Sequence, residues 1–254
     1  MTEPEFKERN SRVFTATSII PLIDLTSLNA EDNESSIIAL CKKALTPFGP
    51  VAAICIYPKF VKLASKILKK SSVKIATVIN FPTGDSTIET TIQEIKNAIA
   101  DTASEIDMVF PYRMYISGDK KRAIDYVIKA RELCKKNISL KIIIETGALE
   151  SPELIKSIST DVIHAGANFI KTSTGKISQG ATLEATKEIL KVIQTESASA
   201  TRTIGIKISG GIRTIAQVQS YIKLASEIMG PNWVTPVVFR IGASRLLDEI
   251  LTIG

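Results

Sequence analysis

PELIKSISTDVIHAGANFIKTS, residues 152–173, carries the pattern from which the fold is read. Pro152–Ala165 has apolar residues at helical spacing, Gly166 marks a turn, and Asn168–Ser173 is a short β-rich run. Working outward, seven further runs have the same character: Ile19–Ile23, Val51–Tyr57, Lys74–Asn80, Glu105–Phe110, Leu140–Glu145, Thr203–Ser209 and Val237–Ile241. Between them, Glu89–Ala100, Lys120–Lys136, Leu183–Thr195 and Ile215–Met229 again show helical spacing. Strand then helix, repeated at roughly 30-residue intervals, predicts right-handed βαβ units and a parallel sheet. Eight such units favour closure into a (β/α)8 barrel, a fold of about 250 residues, over an open doubly wound sheet. The chain has 254 residues and no Pro/Ser-rich linker. Residues 18–254 are therefore expected to form one barrel domain, with residues 1–17 a helical extension covering its bottom.

Composition removes several classes of function. No apolar run reaches the roughly 18 residues that cross a bilayer. Met1–Asn10 is charged and lacks the apolar centre of a signal peptide, so a cytoplasmic location is expected. Thirty-two basic against 26 acidic residues leave a charge of +6, but the lysines are scattered in pairs such as Lys42–Lys43 and Lys120–Lys121. A nucleic-acid binder would gather them into a stripe with interleaved aromatics; here the charge suits a solvated surface whose mild field favours anionic substrates. Cys41, Cys55 and Cys134 form no CxxC pattern and suggest neither disulfides nor zinc. His164 is the only histidine and falls in a helical segment, where a structural role is expected. With metal sites and histidine triads set aside, the chemistry falls to lysines and carboxylates.

Barrel strands are covered on both faces and should read as nearly continuous apolar runs. A charge inside one is costly unless it is paired or sits at the wet mouth. Asp107, Lys171 and Lys207 break the fourth, sixth and seventh runs, each towards the C-terminal half, where active sites of this fold occur. A purely structural ion pair would need one lysine; the second would remain uncompensated. Like-charge repulsion and desolvation disfavour an ammonium, and a neutral amine can attack a carbonyl. Ser209-Gly210-Gly211 after the seventh strand and Gly242-Ala243-Ser244 after the eighth fit a phosphate site, where glycine lets backbone N–H groups approach an anion. Gly175-Lys176 adds a cation from the side. Glu145-Thr146-Gly147 and Asp24 bring polar groups to the same rim, although Asp24-Leu25-Thr26 reads equally well as an N-cap turn. Cys55 reads as a small buried hydrophobe.

Phe169-Ile170-Lys171-Thr172-Ser173-Thr174-Gly175-Lys176 resembles the Schiff-base motif of the deoxyribose-phosphate aldolase family. Asp24-Leu25-Thr26, the blocks Ala52–Pro58, Glu105–Pro111 and Lys141–Gly147, Gly205-Ile206-Lys207, Gly210–Arg213 and Phe239–Ser244 follow in family order and cover nearly the whole chain from Ile20. The resemblance implies reversible, metal-free and cofactor-free cleavage of 2-deoxy-D-ribose 5-phosphate to acetaldehyde and D-glyceraldehyde 3-phosphate, as in deoxyribonucleotide catabolism and carbohydrate degradation. It implies that Lys171 forms the imine, Lys207 lowers the pKa of Lys171, and Asp107 relays protons with Lys207 and a water. Asp24, Cys55 and Thr174 would bind substrate; Gly175, Lys176, Gly210, Gly211, Gly242 and Ser244 would hold the phosphate; the assembly would be a homodimer. Cys55 is also a candidate for reaction with accumulated aldehyde. Departures from the family pattern are Ser209, expected to add a hydroxyl near the phosphate, Arg245 in place of a second serine, and the absence of a tyrosine-tipped tail. A barrel isomerase, another aldolase, or a sugar-phosphate binder without catalysis are the alternatives; an acid/base isomerase would not need two lysines.

Overall fold

The computed structural model describes residues 15–135, 137–198 and 200–253. The helical extension expected over residues 1–17 lies almost wholly outside the described residues; of it, only Thr15–Thr17 is described. The strands are β1 (Ile23–Thr26), β2 (Ala53–Ile56), β3 (Lys74–Ile79), β4 (Glu105–Val109), β5 (Ser139–Ile143), β6 (Phe169–Lys171), β7 (Gly205–Ser209) and β8 (Phe239–Ala243). Each runs parallel to the next, and β8 pairs with β1, so the sheet closes. The helices that follow the strands are α1 (Glu34–Lys43), α2 (Val61–Leu68), α3 (Ile88–Ala100), α4 (Lys120–Cys134), α5 (Pro152–His164), α6 (Leu183–Ser197), α7 (Ile215–Met229) and α8 (Leu246–Ile253). The molecule is a (β/α)8 barrel.

Local chemistry explains the helix starts. Asn33, Thr87, Asp119, Ser151, Thr182 and Thr214 each accept a hydrogen bond from a first-turn backbone N–H of the helix that follows. A cap of this kind stabilises a helix by about 1 kcal/mol. After α5 the chain turns at Gly166, at φ +113°, where a Cβ would meet the Arg131 side chain at 2.5 Å. Any other residue there would carry both backbone strain and a clash.

Two of the expected strands are displaced. Ile19–Leu22 belongs to a 3-10 turn, Thr17–Leu22, because Pro21 has no N–H to give a ladder. The eighth strand begins at Phe239, not Val237; Val238 and Phe239 donate back to Thr235 O in a turn, and Val237 is 65% exposed. Helices α1 and α2, and a short helix at Tyr112–Ile116, were not anticipated.

Strand alternation then sorts the side chains. Ile54, Ile56, Ile106, Met108, Leu140, Ile142, Ile170, Ile206, Ile208 and Ile241 join the main apolar core with helix residues such as Ile95, Val127, Ile158 and Ile189. The alternate positions face the barrel interior. On β2 and β3 these are Cys55, Ala76 and Val78, which form a separate apolar cluster with Leu28. On β1 and on β4 to β8 they include seven charged residues, Asp24, Glu105, Asp107, Lys141, Lys171, Lys207 and Arg240. Branched apolar residues usually fill such an interior; this one carries an ionic cluster.

Candidate active site

The strand registers place the charges in layers. Lys171 is paired with Lys207, Lys207 with Arg240, and Asp107 with Lys141. Asp107 Oδ2 lies 3.0 Å from Lys171 Nζ and 2.7 Å from Lys207 Nζ, while its Oδ1 accepts from Lys141 Nζ at 2.7 Å. Lys207 Nζ is also 2.6 Å from Asp24 Oδ2, and Asp24 Oδ1 accepts from Arg240 at 2.7 Å. Below these, Glu105 meets Lys141 at 2.6 Å and Arg240 at 3.2 Å. All seven residues are buried. Four cations face three carboxylates, so the cluster carries one surplus positive charge.

This geometry changes the sequence reading in several places. Lys207 is compensated after all, by both Asp107 and Asp24; the surplus belongs to the whole cluster. Asp24 is an interior strand residue and not an N-cap, the following helix being capped by Asn33. Lys141, Glu105 and Arg240 were not singled out, although the rule that found Asp107 applies equally to Lys141 and Arg240. His164 pairs with Glu196 on the outer surface, away from the cluster.

Burial alone would raise the Asp107 carboxyl, but Lys141, Lys171 and Lys207 outweigh it and hold it well below the usual carboxylate range. Asp24 is lowered likewise by Lys207, Arg240 and Lys141 against its burial. Burial would strip the proton from Lys207, but Asp107 and Asp24 reverse this and raise it well above an ordinary lysine. In the resting site Lys207 is thus held as a cation and Asp107 as an anion. Burial pushes the Cys55 thiol up. With its Sγ 3.8 Å from Asp107 Oδ2, Cys55 stays a thiol, a poor nucleophile for aldehydes.

A buried network of this kind adds little net stability over an apolar core, but breaking it is expensive. Arg240→Met would leave Glu105 and Asp24 each short of a cation. The expected loss is about 3–5 kcal/mol, seen as a fall in Tm of roughly 10 °C. The folded Asp24 value lies below its unfolded one, so its stabilisation is present above about pH 4 and lost as pH falls through the folded value. The Tm gap between wild type and variant should therefore narrow in acid. A pH-independent gap would contradict the ionic origin of the loss.

Lys171 stands at the top of the cluster and opens onto a cavity of about 320 Å3. The same cavity is lined by Thr174, Gly175, Lys176, Gly210, Gly211, Gly242 and Ser244, so the phosphate-site candidates converge on the nucleophile candidate. Asp107, Lys207, Asp24 and Cys55 lie beneath it, with no surface on the cavity. The 174–176 and 209–211 loops meet closely: a Cβ on Gly175 would be 3.8 Å from Gly210 Cα, and one on Gly180 would strike Gly210 O at 2.2 Å. Gly210 itself sits at φ +89°. Gly242 lies inside β8, not in a loop after it, and leaves room for the Lys207 stem, whose Cε would be 3.1 Å from an added Cβ. Ser209 Oγ donates to Ser173 O at 2.6 Å and its hydroxyl is committed to the loop, not free for an anion as expected. Arg213 and Arg245 also line the cavity and bring two further cations to its mouth.

A closed parallel barrel with lysines at the C-terminal mouth defines a class, the barrel aldolases, and sequence comparison places the chain within it. Residues 18–249 match the DeoC/LacD family aldolase profile, and the chain belongs to that family. It is a lyase of the aldolase type. A structure from Coccidioides immitis, provisionally assigned as a deoxyribose-phosphate aldolase, superposes with a TM-score of 0.79 at 28% identity, covering 94% of this chain and 87% of that one. A Toxoplasma gondii structure with the same provisional assignment gives 0.84 at 22% identity over 93% of both chains. The deoxyribose phosphate aldolase of Aeropyrum pernix, a tetramer, gives 0.74 at 22% identity over 95% of this chain and 93% of that one. No helix among the described residues is long and apolar enough to cross a membrane, and no cluster of metal-ligating side chains occurs among them.

Proposed function

We propose that this aldolase cleaves 2-deoxy-D-ribose 5-phosphate reversibly to acetaldehyde and D-glyceraldehyde 3-phosphate, with Lys171 as the Schiff-base nucleophile. The observation that carries the reading is the position of Lys171, which joins a cluster with one surplus cation to a cavity walled by glycine loops. With Lys171 as a free amine, the remaining Lys141, Lys207 and Arg240 balance Asp24, Glu105 and Asp107. The free amine is the form of a lysine that attacks a carbonyl.

In this mechanism the Lys171 amine adds to the C1 aldehyde and water leaves, giving a protonated imine. Asp107, working with Lys207 and a water, takes the proton from the C3 hydroxyl. The C2–C3 bond then breaks and its electrons flow into the imine, forming an enamine and releasing glyceraldehyde 3-phosphate. Protonation at C2 and hydrolysis free acetaldehyde and restore the amine. Gly175, Lys176, Gly210, Gly211, Gly242 and Ser244 hold the phosphate, Thr174 completes the contacts at the cavity wall, and Asp24 acts from beneath through Lys207. Leu28, which lines the cavity, gives the two-carbon fragment an apolar contact. The homodimer implied by the family resemblance is checked by light scattering.

The direct test is borohydride reduction in the presence of acetaldehyde. Mass spectrometry of the digest is expected to find an ethyl group on Lys171. A reduced, fully sequenced digest with Lys171 unmodified would exclude the imine.

A further inference from the structure

Glu145 takes no part in the cluster or in the mechanism above, yet it is buried to 1% exposure just beyond the end of β5. Its backbone is left-handed, at φ +55° and ψ 60°. A non-glycine residue keeps that conformation only where its surroundings hold it, and such residues gather at functional sites. What holds it is the loop after β6: Thr174 N–H donates to Oε1 at 3.2 Å, and the Thr174 hydroxyl donates to Oε2 at 2.5 Å. The hydroxyl has no freedom in this arrangement. A carboxylate can only accept, so Thr174 Oγ must give it its proton, and the oxygen then accepts from Lys176 N–H at 3.0 Å.

We propose that Glu145 is a positioning residue for the phosphate loop, fixing Thr174 and, through it, the Gly175–Lys176 backbone at the cavity wall. Lys176 Nζ in turn reaches across the cavity to Leu28 O at 2.6 Å, so the fixed segment bears the loop's cation as well as its N–H groups. Lys171 lies three residues before Thr174 on the same short segment. The carboxylate is specific to this task because both of its oxygens accept and both donors come from one residue. A glutamine side chain in its place would present an amide N–H to one of those donors.

This inference rests on the cavity being a phosphate site, and its test does not depend on turnover. Inorganic phosphate binding is measured by titration calorimetry on wild type, Glu145→Gln and Thr174→Val. Loss of one charge-assisted hydrogen bond should weaken phosphate binding about tenfold in Glu145→Gln, and Thr174→Val, which removes only the hydroxyl at nearly constant volume, should do the same. With deoxyribose 5-phosphate, Glu145→Gln should raise KM by a similar factor while kcat stays within about twofold; with unphosphorylated 2-deoxyribose, its kcat/KM should match wild type. Unchanged phosphate affinity in either folded variant overturns the inference, as does an equal loss on both sugars in Glu145→Gln. If Glu145→Gln fails to fold, Thr174→Val decides alone. Absence of deoxyribose 5-phosphate cleavage by wild type would count against the substrate reading and leave the phosphate measurement standing.

Discussion

Lys171→Ala is expected to abolish cleavage of deoxyribose 5-phosphate while leaving the barrel folded. The loss should be on the order of 10^5-fold, the scale on which a covalent nucleophile acts. Nothing near Lys171 can replace it, because Lys207 and Lys141 are held as cations by Asp107 with Asp24 or Glu105. The fold should survive the change. Removing Lys171 leaves three cations against three carboxylates, and Asp107 keeps Lys141 and Lys207 as partners. The Tm should move by no more than about 4 °C, equivalent to about 1 kcal/mol in a chain of this size. An inactive variant that is also unfolded would say nothing about chemistry, so circular dichroism and turnover are measured on the same sample. Residual cleavage within tenfold of wild type would remove Lys171 from the nucleophile's role.

Lys207→Leu is expected to reduce turnover by about 100-fold, the lower end of what a group assisting proton transfer contributes. Lys207 Nζ contacts both Asp107 Oδ2 and Asp24 Oδ2, and those two carboxylates hold it as a cation. Leucine in its place leaves the three carboxylates with Lys141, Arg240 and Lys171 alone and removes the cation that orders Asp107 for the proposed proton transfer. The loss should fall on kcat, with circular dichroism showing the barrel still folded. Turnover within about threefold of wild type would remove Lys207 from the mechanism.

Much of this was legible in the residues. Asp107, Lys171 and Lys207 stood out because each interrupts an apolar run, and Gly210-Gly211 and Gly242 stood out because they fall near two strand ends. Lys141 and Arg240 interrupt runs in the same way and could have been found by the same rule. Glu105 is harder: it opens its strand, where a charge would ordinarily meet solvent, and only closure of the sheet brings Arg240 of β8 within 3.2 Å of it on β4. Its one local signal is that residues 105 and 107 share a face. Ser209 was misread because a hydroxyl beside a glycine loop looks free in one dimension; its acceptor, Ser173 O, comes from the neighbouring strand's loop. Glu145 was visible only as a polar rim residue. Its contact with Thr174 spans 29 positions in sequence and depends on a left-handed backbone that no residue type announces.

The alternation that puts Lys141, Lys171, Lys207 and Arg240 inside the barrel has a bearing on assembly of the fold itself. Slipping any of these strands by one residue would turn its cation outward, into the apolar layer against the helices. There it would meet Ile and Val side chains with no carboxylate in reach, a cost of several kcal/mol for each ion. An uncharged strand such as Ala53–Ile56 tolerates a slip far better, since Ala, Cys and Ile differ mainly in bulk. The ionic interior thus fixes strand register, since each slipped pairing would bury an unmatched charge.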